Sequence, residues 1–184
     1  MTTTQSLLTT GKRIAIISFL VGTFIFLLYF LTSSFGLLFV GYGFIAIVGL
    51  INIGVLVPLL LRAYKVKENR RKILLTCGLM LLNIPTMLIY CWFAILLLNT
   101  MRVTFINTTK TTLTNIDIIG CEPKQIDKLE PNESKTVWIA ITGDCSLGIE
   151  YLSNGQKKSE SVVGYCTNDM GQKMVYKIGS DNKP

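Results

Sequence analysis

Residues 59–76, LLLRAYKVKENRRKILLT, place six Lys and Arg (Arg62, Lys65, Lys67, Arg70, Arg71, Lys72) within eleven positions, with Glu68 as the single counter-charge. On either side the chain is almost purely apolar. A cationic cluster pinned between two such runs has a simple physical reading: it is a loop that resists crossing a lipid bilayer.

Working outward, three runs meet the length of roughly 20 apolar residues that a spanning helix needs: residues 14–32, 36–61 and 73–98. None contains Asp, Glu, Lys, Arg or His. The first follows Lys12-Arg13 and resembles a secretory leader, but its apolar stretch exceeds the about 7–15 residues of one and no Ala-x-Ala-like site follows. It reads as an uncleaved anchor. The expected organisation is an amino-terminal segment at 1–13, a three-helix membrane domain at 14–100 and an outward domain at 101–184.

Cytoplasmic loops carry the excess of Lys and Arg, so Lys12 and Arg13 share a side with the 62–72 loop. The uncharged connection Thr32-Ser33-Ser34-Phe35 faces the other way. These cationic segments account for the whole formal charge of +7, because residues 99–184 hold ten Lys plus Arg and ten Asp plus Glu. Basicity confined to membrane flanks argues against a nucleic-acid partner, which asks for a basic face on a folded domain. Beyond setting topology, the loop suits anionic headgroups, at about 1 kcal/mol per charge, or an acidic cytoplasmic partner.

The second run carries Gly36, Gly41, Gly43, Gly49 and Gly54. At 100° per residue, Gly36, Gly43 and Gly54 form one stripe with Pro58 at its edge, while Gly41, Gly49 and Asn52 lie roughly opposite. Small residues let helix backbones approach closely in lipid, so two such faces predict two neighbours: helices one and three supply both, or, the preferred reading, at least one face meets a partner chain. Asn52 and Asn83 are the deep amides of the spans. Their similar distances from the basic loop predict a hydrogen bond across the hairpin of helices two and three. Pro85 predicts a kink. Tyr90 and Trp92 read as packing and outer aromatic-belt residues.

After Asn99 the pattern changes to short alternating segments with turn punctuation. Strands are expected at 102–108, 112–119, 125–129, 134–142, 145–152, 157–166 and 172–178. Asn154-Gly155 fits a type I′ hairpin. Gly143-Asp144 and residues 168–171 are expected to close neighbouring hairpins, and Glu130-Pro131-Asn132-Glu133 to make a further turn. Seven strands in about 80 residues predict a small antiparallel β-sandwich of the immunoglobulin or fibronectin type III architecture, with Trp138 in its core. No single register buries Ile149, Tyr151, Val163, Tyr165 and Tyr176 together, so a bulge is expected.

Cys121, Cys145 and Cys166 lie in this domain, and Cys121 with Cys145, each at a strand end, is the preferred disulfide; Cys145 with Cys166 is the alternative. One thiol is then left over, and the lack of a C-x-x-C spacing disfavours redox catalysis. Asn107-Thr108-Thr109 and Asn132-Glu133-Ser134 match the glycosylation sequon, a match that arises easily by chance in a Thr- and Asn-rich chain.

Histidine is absent, which removes the commonest general base and metal ligand. No nucleotide, hydrolase or zinc motif occurs, and the acidic turn Asp127, Glu130 and Glu133 lacks calcium-loop spacing. The expectation is therefore a non-enzymatic protein with no cofactor, no metal and no small-molecule substrate. It is read as an accessory subunit of a membrane complex, partnered by lipid and by other membrane subunits. The alternative is a stand-alone anchored binding or sensor protein. Little Ala beside much Ile, Asn, Lys and Thr fits an AT-rich genome, hence a bacterial inner membrane with the carboxy-terminal domain in the periplasm.

Overall fold

The computed structural model describes residues 3–65 and 69–180. Lys67 and Glu68 of the basic loop lie outside the described residues. The chain divides into two compact units, Met1–Ala94 and Ile95–Pro184, six residues ahead of the boundary expected at 100/101.

In the first unit three helical segments are long and apolar enough to cross a membrane. Helix α1 spans Thr3–Thr32, α2 Phe35–Lys65, α3 Arg70–Leu81 and α4 Asn83–Leu98. The connection after α1 is only Ser33-Ser34. Ser33 takes a left-handed φ of 54°, its N–H closes on Tyr29 O at 2.8 Å, and Thr32 Oγ1 accepts the Ser34 N–H. The third apolar run is broken at Leu82 into α3 and α4. Pro85 explains the break, because it lacks the N–H that would donate to Leu81 O and its ring crowds that carbonyl.

At the amino terminus, residues 3–13 are helical and form the first turns of α1. The polar start is helical in part because Thr9 Oγ1 donates back to Gln5 O, satisfying its hydroxyl within the helix. Leu7, Leu8 and Ala15 pack with Leu59, Ala63, Ile73, Cys77 and Met80. At Gly11 the backbone comes so near its neighbours that a Cβ would stand 3.0 Å from Leu59 Cδ1 and 3.0 Å from Thr76 Cγ2. A larger residue there would have to push those side chains aside. Farther along, Phe26 stacks on Tyr90 with centroids 4.7 Å apart, and Thr23 shares a 2.8 Å hydrogen bond with the Tyr90 hydroxyl.

The second unit holds seven strands: β1 Thr100–Asn107, β2 Leu113–Ile119, β3 Lys124–Leu129, β4 Ser134–Ala140, β5 Cys145–Ser153, β6 Gln156–Cys166 and β7 Lys173–Ile178. They form two sheets, ordered β4-β1-β7 and β3-β2-β5-β6. All pairings are antiparallel except β1 with β7, which is parallel. Both sheets contribute to one core: Met101, Val103, Phe105, Ile139 and Ile178 from the first, Leu113, Ile116, Ile126, Leu147 and Ile149 from the second.

Asn154 and Gly155 have φ of 51° and 75° and close the β5–β6 hairpin, the pattern of a type I′ turn. The expected hairpins at 143–144 and 168–171 do not exist. Each of those segments carries the chain from one sheet to the other, since β4 does not pair with β5 nor β6 with β7. An immunoglobulin constant domain joins A, B, E and D in one sheet and C, F and G in the other. Here the second and fifth strands do pair, but the third and sixth join them, so the expected strand order is not reproduced.

Pairing shifts occur between Cys145 and Leu147 and between Leu147 and Gly148, and between Thr114 and Asp117. These irregularities let Ile149, Tyr151 and Val162 turn inward while Tyr165 stays exposed. Trp138 also departs from expectation. It is 42% exposed, because on β4 the inward positions are Val137 and Ile139 and strand alternation sends their neighbour out.

Candidate functional site

The two faces of α2 fare differently. A Cβ on Gly43, Gly49 or Gly54 would meet nothing within 4 Å, and one on Gly36 would meet only Ser34 Oγ of its own turn. Gly41 alone lies near another helix, 3.8 Å from Ile25 Cγ2. The Gly36, Gly43 and Gly54 stripe therefore packs against no other described helix. On the opposite side Gly41, Gly49 and Asn52 line a cavity of about 440 Å³, walled also by Gly22, Phe26 and Tyr90.

The predicted hydrogen bond between Asn52 and Asn83 is absent. Asn83 Nδ2 donates to Ala15 O on α1 at 3.1 Å, whereas Asn52 Nδ2 donates to Val48 O in its own helix. The depth argument said nothing about azimuth, and the two amides point to different neighbours. Asn52 Oδ1 is buried and accepts no hydrogen bond. Gly11, ahead of the apolar runs, makes the closest approach to neighbouring helices of the described helical glycines. Its signal was the Leu7, Leu8, Gly11, Ala15 spacing, one helical face.

Of the basic residues, Lys12 and Arg13 sit inside α1, Arg62 and Lys65 in the last turn of α2, and Arg70, Arg71 and Lys72 open α3. Cations suit a helix C-terminus and oppose the dipole at an N-terminus. The triplet at the start of α3 therefore does not serve helix stability, and its placement needs another cause.

In the second unit, Trp138, expected in the core, stands on the outer face of the β4-β1-β7 sheet beside the buried Arg102, which the sequence did not single out. Arg102 and Trp138 are register partners on β1 and β4, with the guanidinium carbon 5.6 Å from the indole centroid. That distance is within cation–π range. Beside them Thr104 and Thr136 share a 2.8 Å hydrogen bond, and Val175 is exposed on β7.

Glu160 on β6 ties the two sheets. Its carboxylate accepts from the hydroxyls of Tyr151 and Tyr176 and from the Gly179 N–H. Burial, with the bond to Glu160 second, pushes both tyrosine hydroxyls well above their ordinary pKa. Asn107, buried, spends its whole amide internally. Nδ2 donates to Thr111 O and Leu129 O, and Oδ1 accepts from the Thr109 N–H and hydroxyl. That sequon nitrogen is not available on the folded surface, whereas Asn132 is exposed in its turn. Of the acidic turn, Glu130 pairs with Lys128 at 3.0 Å and Glu133 caps the Glu130 N–H.

Cys121 and Cys145 stand at disulfide distance, their Cα atoms 5.2 Å apart, and are bonded. Cys166 is a buried free thiol.

No family model and no curated protein matches the sequence. An NMR structure of a protein from Eubacterium rectale aligns over 45% of this chain and 82% of that one, at 14% identity and a TM-score of 0.35. A likeness that slight carries no argument.

Proposed function

We propose that this chain is a non-enzymatic accessory subunit of an integral membrane complex, held to its partner through α2. The single observation that carries the reading is the open glycine stripe: a Cβ on Gly43 or Gly54 would meet nothing within 4 Å. Glycine in a helix interior costs about 1 kcal/mol relative to Ala, and in lipid its compensating use is close helix approach. Within this reading the three spans cross the bilayer with the basic ends of the helices in the cytoplasm. The second unit is then a small β-sandwich on the periplasmic side of a bacterial inner membrane, bracing the partner there.

The cations that open α3 support this orientation, because they oppose the helix dipole yet fit the bias of cytoplasmic loops. The test is purification from native membranes in mild detergent followed by native mass measurement. A defined complex is expected, and Gly43→Ile with Gly54→Ile should release the partner while leaving the chain folded. A homogeneous, stable monomer from native membranes would refute the subunit reading.

The alternative, a stand-alone anchored binding protein, is favoured by one observation. Trp138, 42% exposed above the buried Arg102, presents a residue type that dominates binding hot spots. Trp138→Ala abolishing capture of an envelope component by the monomer would move the assignment there.

A further inference from the structure

Three cysteines meet at one end of the β3-β2-β5-β6 sheet. Cys145 opens β5, the strand between β2 and β6. On one side is Cys121, two residues beyond the end of β2, bonded to it. On the other is Cys166, the last residue of β6 and the register partner of Cys145. Directly opposed residues of an antiparallel pair have Cα atoms about 4.5–5.5 Å apart, inside the about 4.4–6.8 Å that a disulfide spans. All three side chains pack on the same core, so Cys166 and Cys145 share a face. Cys145 thus has two cysteine neighbours whose backbone placement suits a disulfide, and only one can hold it at a time.

We propose that Cys121, Cys145 and Cys166 form a thiol–disulfide exchange site that presents Cys121 for modification by a low-molecular-weight disulfide. The Cys166 thiol gives its proton to solvent, and its thiolate attacks Cys145 Sγ. The Cys145–Cys166 bond forms, the Cys121–Cys145 bond breaks, and its electron pair leaves on Cys121 Sγ. No oxidant or reductant is consumed. The Cys121 thiolate then attacks the small disulfide, giving a mixed disulfide and one released small thiolate.

Two features set the resting state. Cys166 is 1% exposed, and burial pushes its thiol pKa up, which keeps it protonated and the Cys121–Cys145 bond in place. Cys121 lies at the half-exposed turn between β2 and β3, its sulfur 3.8 Å from Ser146 O, so the freed thiol is the one that solvent reaches. The pairing shifts on either side of Leu147 place the irregular part of β5 beside the sulfurs that must realign.

The experiment treats the full chain in micelles with oxidised glutathione at pH 8 without reductant, quenches in acid, and maps peptides without reduction. The expected product carries glutathione on Cys121 together with a Cys145–Cys166 disulfide. Cys166→Ser should lower the Cys121 adduct at least tenfold, because no other sulfur of the unit can displace it. Cys121→Ser should join Cys145 to Cys166 under the same oxidant. Glutathione on Cys166 beside an intact Cys121–Cys145 bond overturns the proposal, as does no adduct at all or wild-type labelling of Cys121 in Cys166→Ser. If either variant fails to fold, the wild-type peptide map decides alone.

Discussion

Replacing Glu160 by Ala should be the most damaging single polar change in the second unit. Three donors converge on its carboxylate: the Tyr151 hydroxyl, the Tyr176 hydroxyl at 2.8 Å and the Gly179 N–H at 3.1 Å. A hydrogen bond to a charged group contributes about 1.5–3 kcal/mol, and a donor left without an acceptor costs a comparable amount when buried. Part of the site is open to water, which will satisfy some of the freed donors, so the loss is about 3 kcal/mol rather than the sum of three bonds. For a unit of this size that lowers Tm by about 12–24 °C. Glu160→Gln keeps an acceptor but not the charge, and about half the loss is expected. Urea titration of the full chain in micelles, followed by Trp138 emission with Trp92 replaced by Phe, reads the change. A loss under about 0.5 kcal/mol, the scale of an ordinary surface substitution, would refute the clamp. The two tyrosines add a pH signature. Their folded pKa values are raised, first by burial and then by Glu160, so their contribution is complete below the unfolded value near about 10. It is lost as pH rises beyond that, because the unfolded state releases protons that the folded state retains. Stability should therefore decline from about pH 10 upward, and Glu160→Gln should lessen the decline without abolishing it, since burial is the larger cause.

Gly11→Leu should destabilise the helical unit by about 1–3 kcal/mol through overpacking, read by detergent-exchange unfolding; Gly78→Leu, where a Cβ would meet nothing within 4 Å, is the control for the same assay. Asn107→Ala should cost about 3 kcal/mol, because it strips the donors from Thr111 O and Leu129 O in a buried site; a change below about 1 kcal/mol in the urea midpoint analysis contradicts the assignment. Asp144 accepts from Thr167, which most lowers its pKa, and from Tyr165. A depressed carboxylate stabilises above its unfolded pKa of about 3.9 and is lost as pH falls below it. Asp144→Asn should lower stability at neutral pH, where the contribution is present, and converge with the wild type in acid below the folded pKa, which flattens the acid limb.

The comparison of sequence with structure separates what local patterns encode from what they leave open. The seven strands were legible because alternation and turn residues are local, and the third helix's break was legible because Pro85 acts on the carbonyl four residues before it. Sheet membership was not. Gly143-Asp144 reads as a turn either way, and nothing in the two residues says whether the next strand pairs beside the last or crosses to the other sheet. Trp138 misled because V-W-I-A-I is apolar at every position, which conceals the period that would have sent the indole outward. In the helices, hydropathy fixed the spans but not the amino-terminal start. The polar first turns of α1 are held by the contacts of Leu7, Leu8 and Gly11 with the other helices. The Asn52 and Asn83 error has the same origin, since distance along a helix is set by residue count but direction around it needs the packing. Glu160 was invisible because its three partners lie on β5, on β7 and just beyond β7, and only the folded chain brings them together.

The last turn of α4 has a bearing on how such a chain can be recombined. Residues Ile95–Leu98 belong to the second compact unit. The Gly171 N–H donates to Leu98 O at 2.6 Å, and the Ile141 N–H to Asn99 O. At Gly171 a Cβ would stand 2.3 Å from Leu97 O. The boundary between the two units thus lies one turn inside α4, so a graft of the second unit onto a different helical segment must carry that apolar turn along. A cut at residue 100 would strand two carbonyl acceptors and leave the Gly171 and Ile141 amides without their partners.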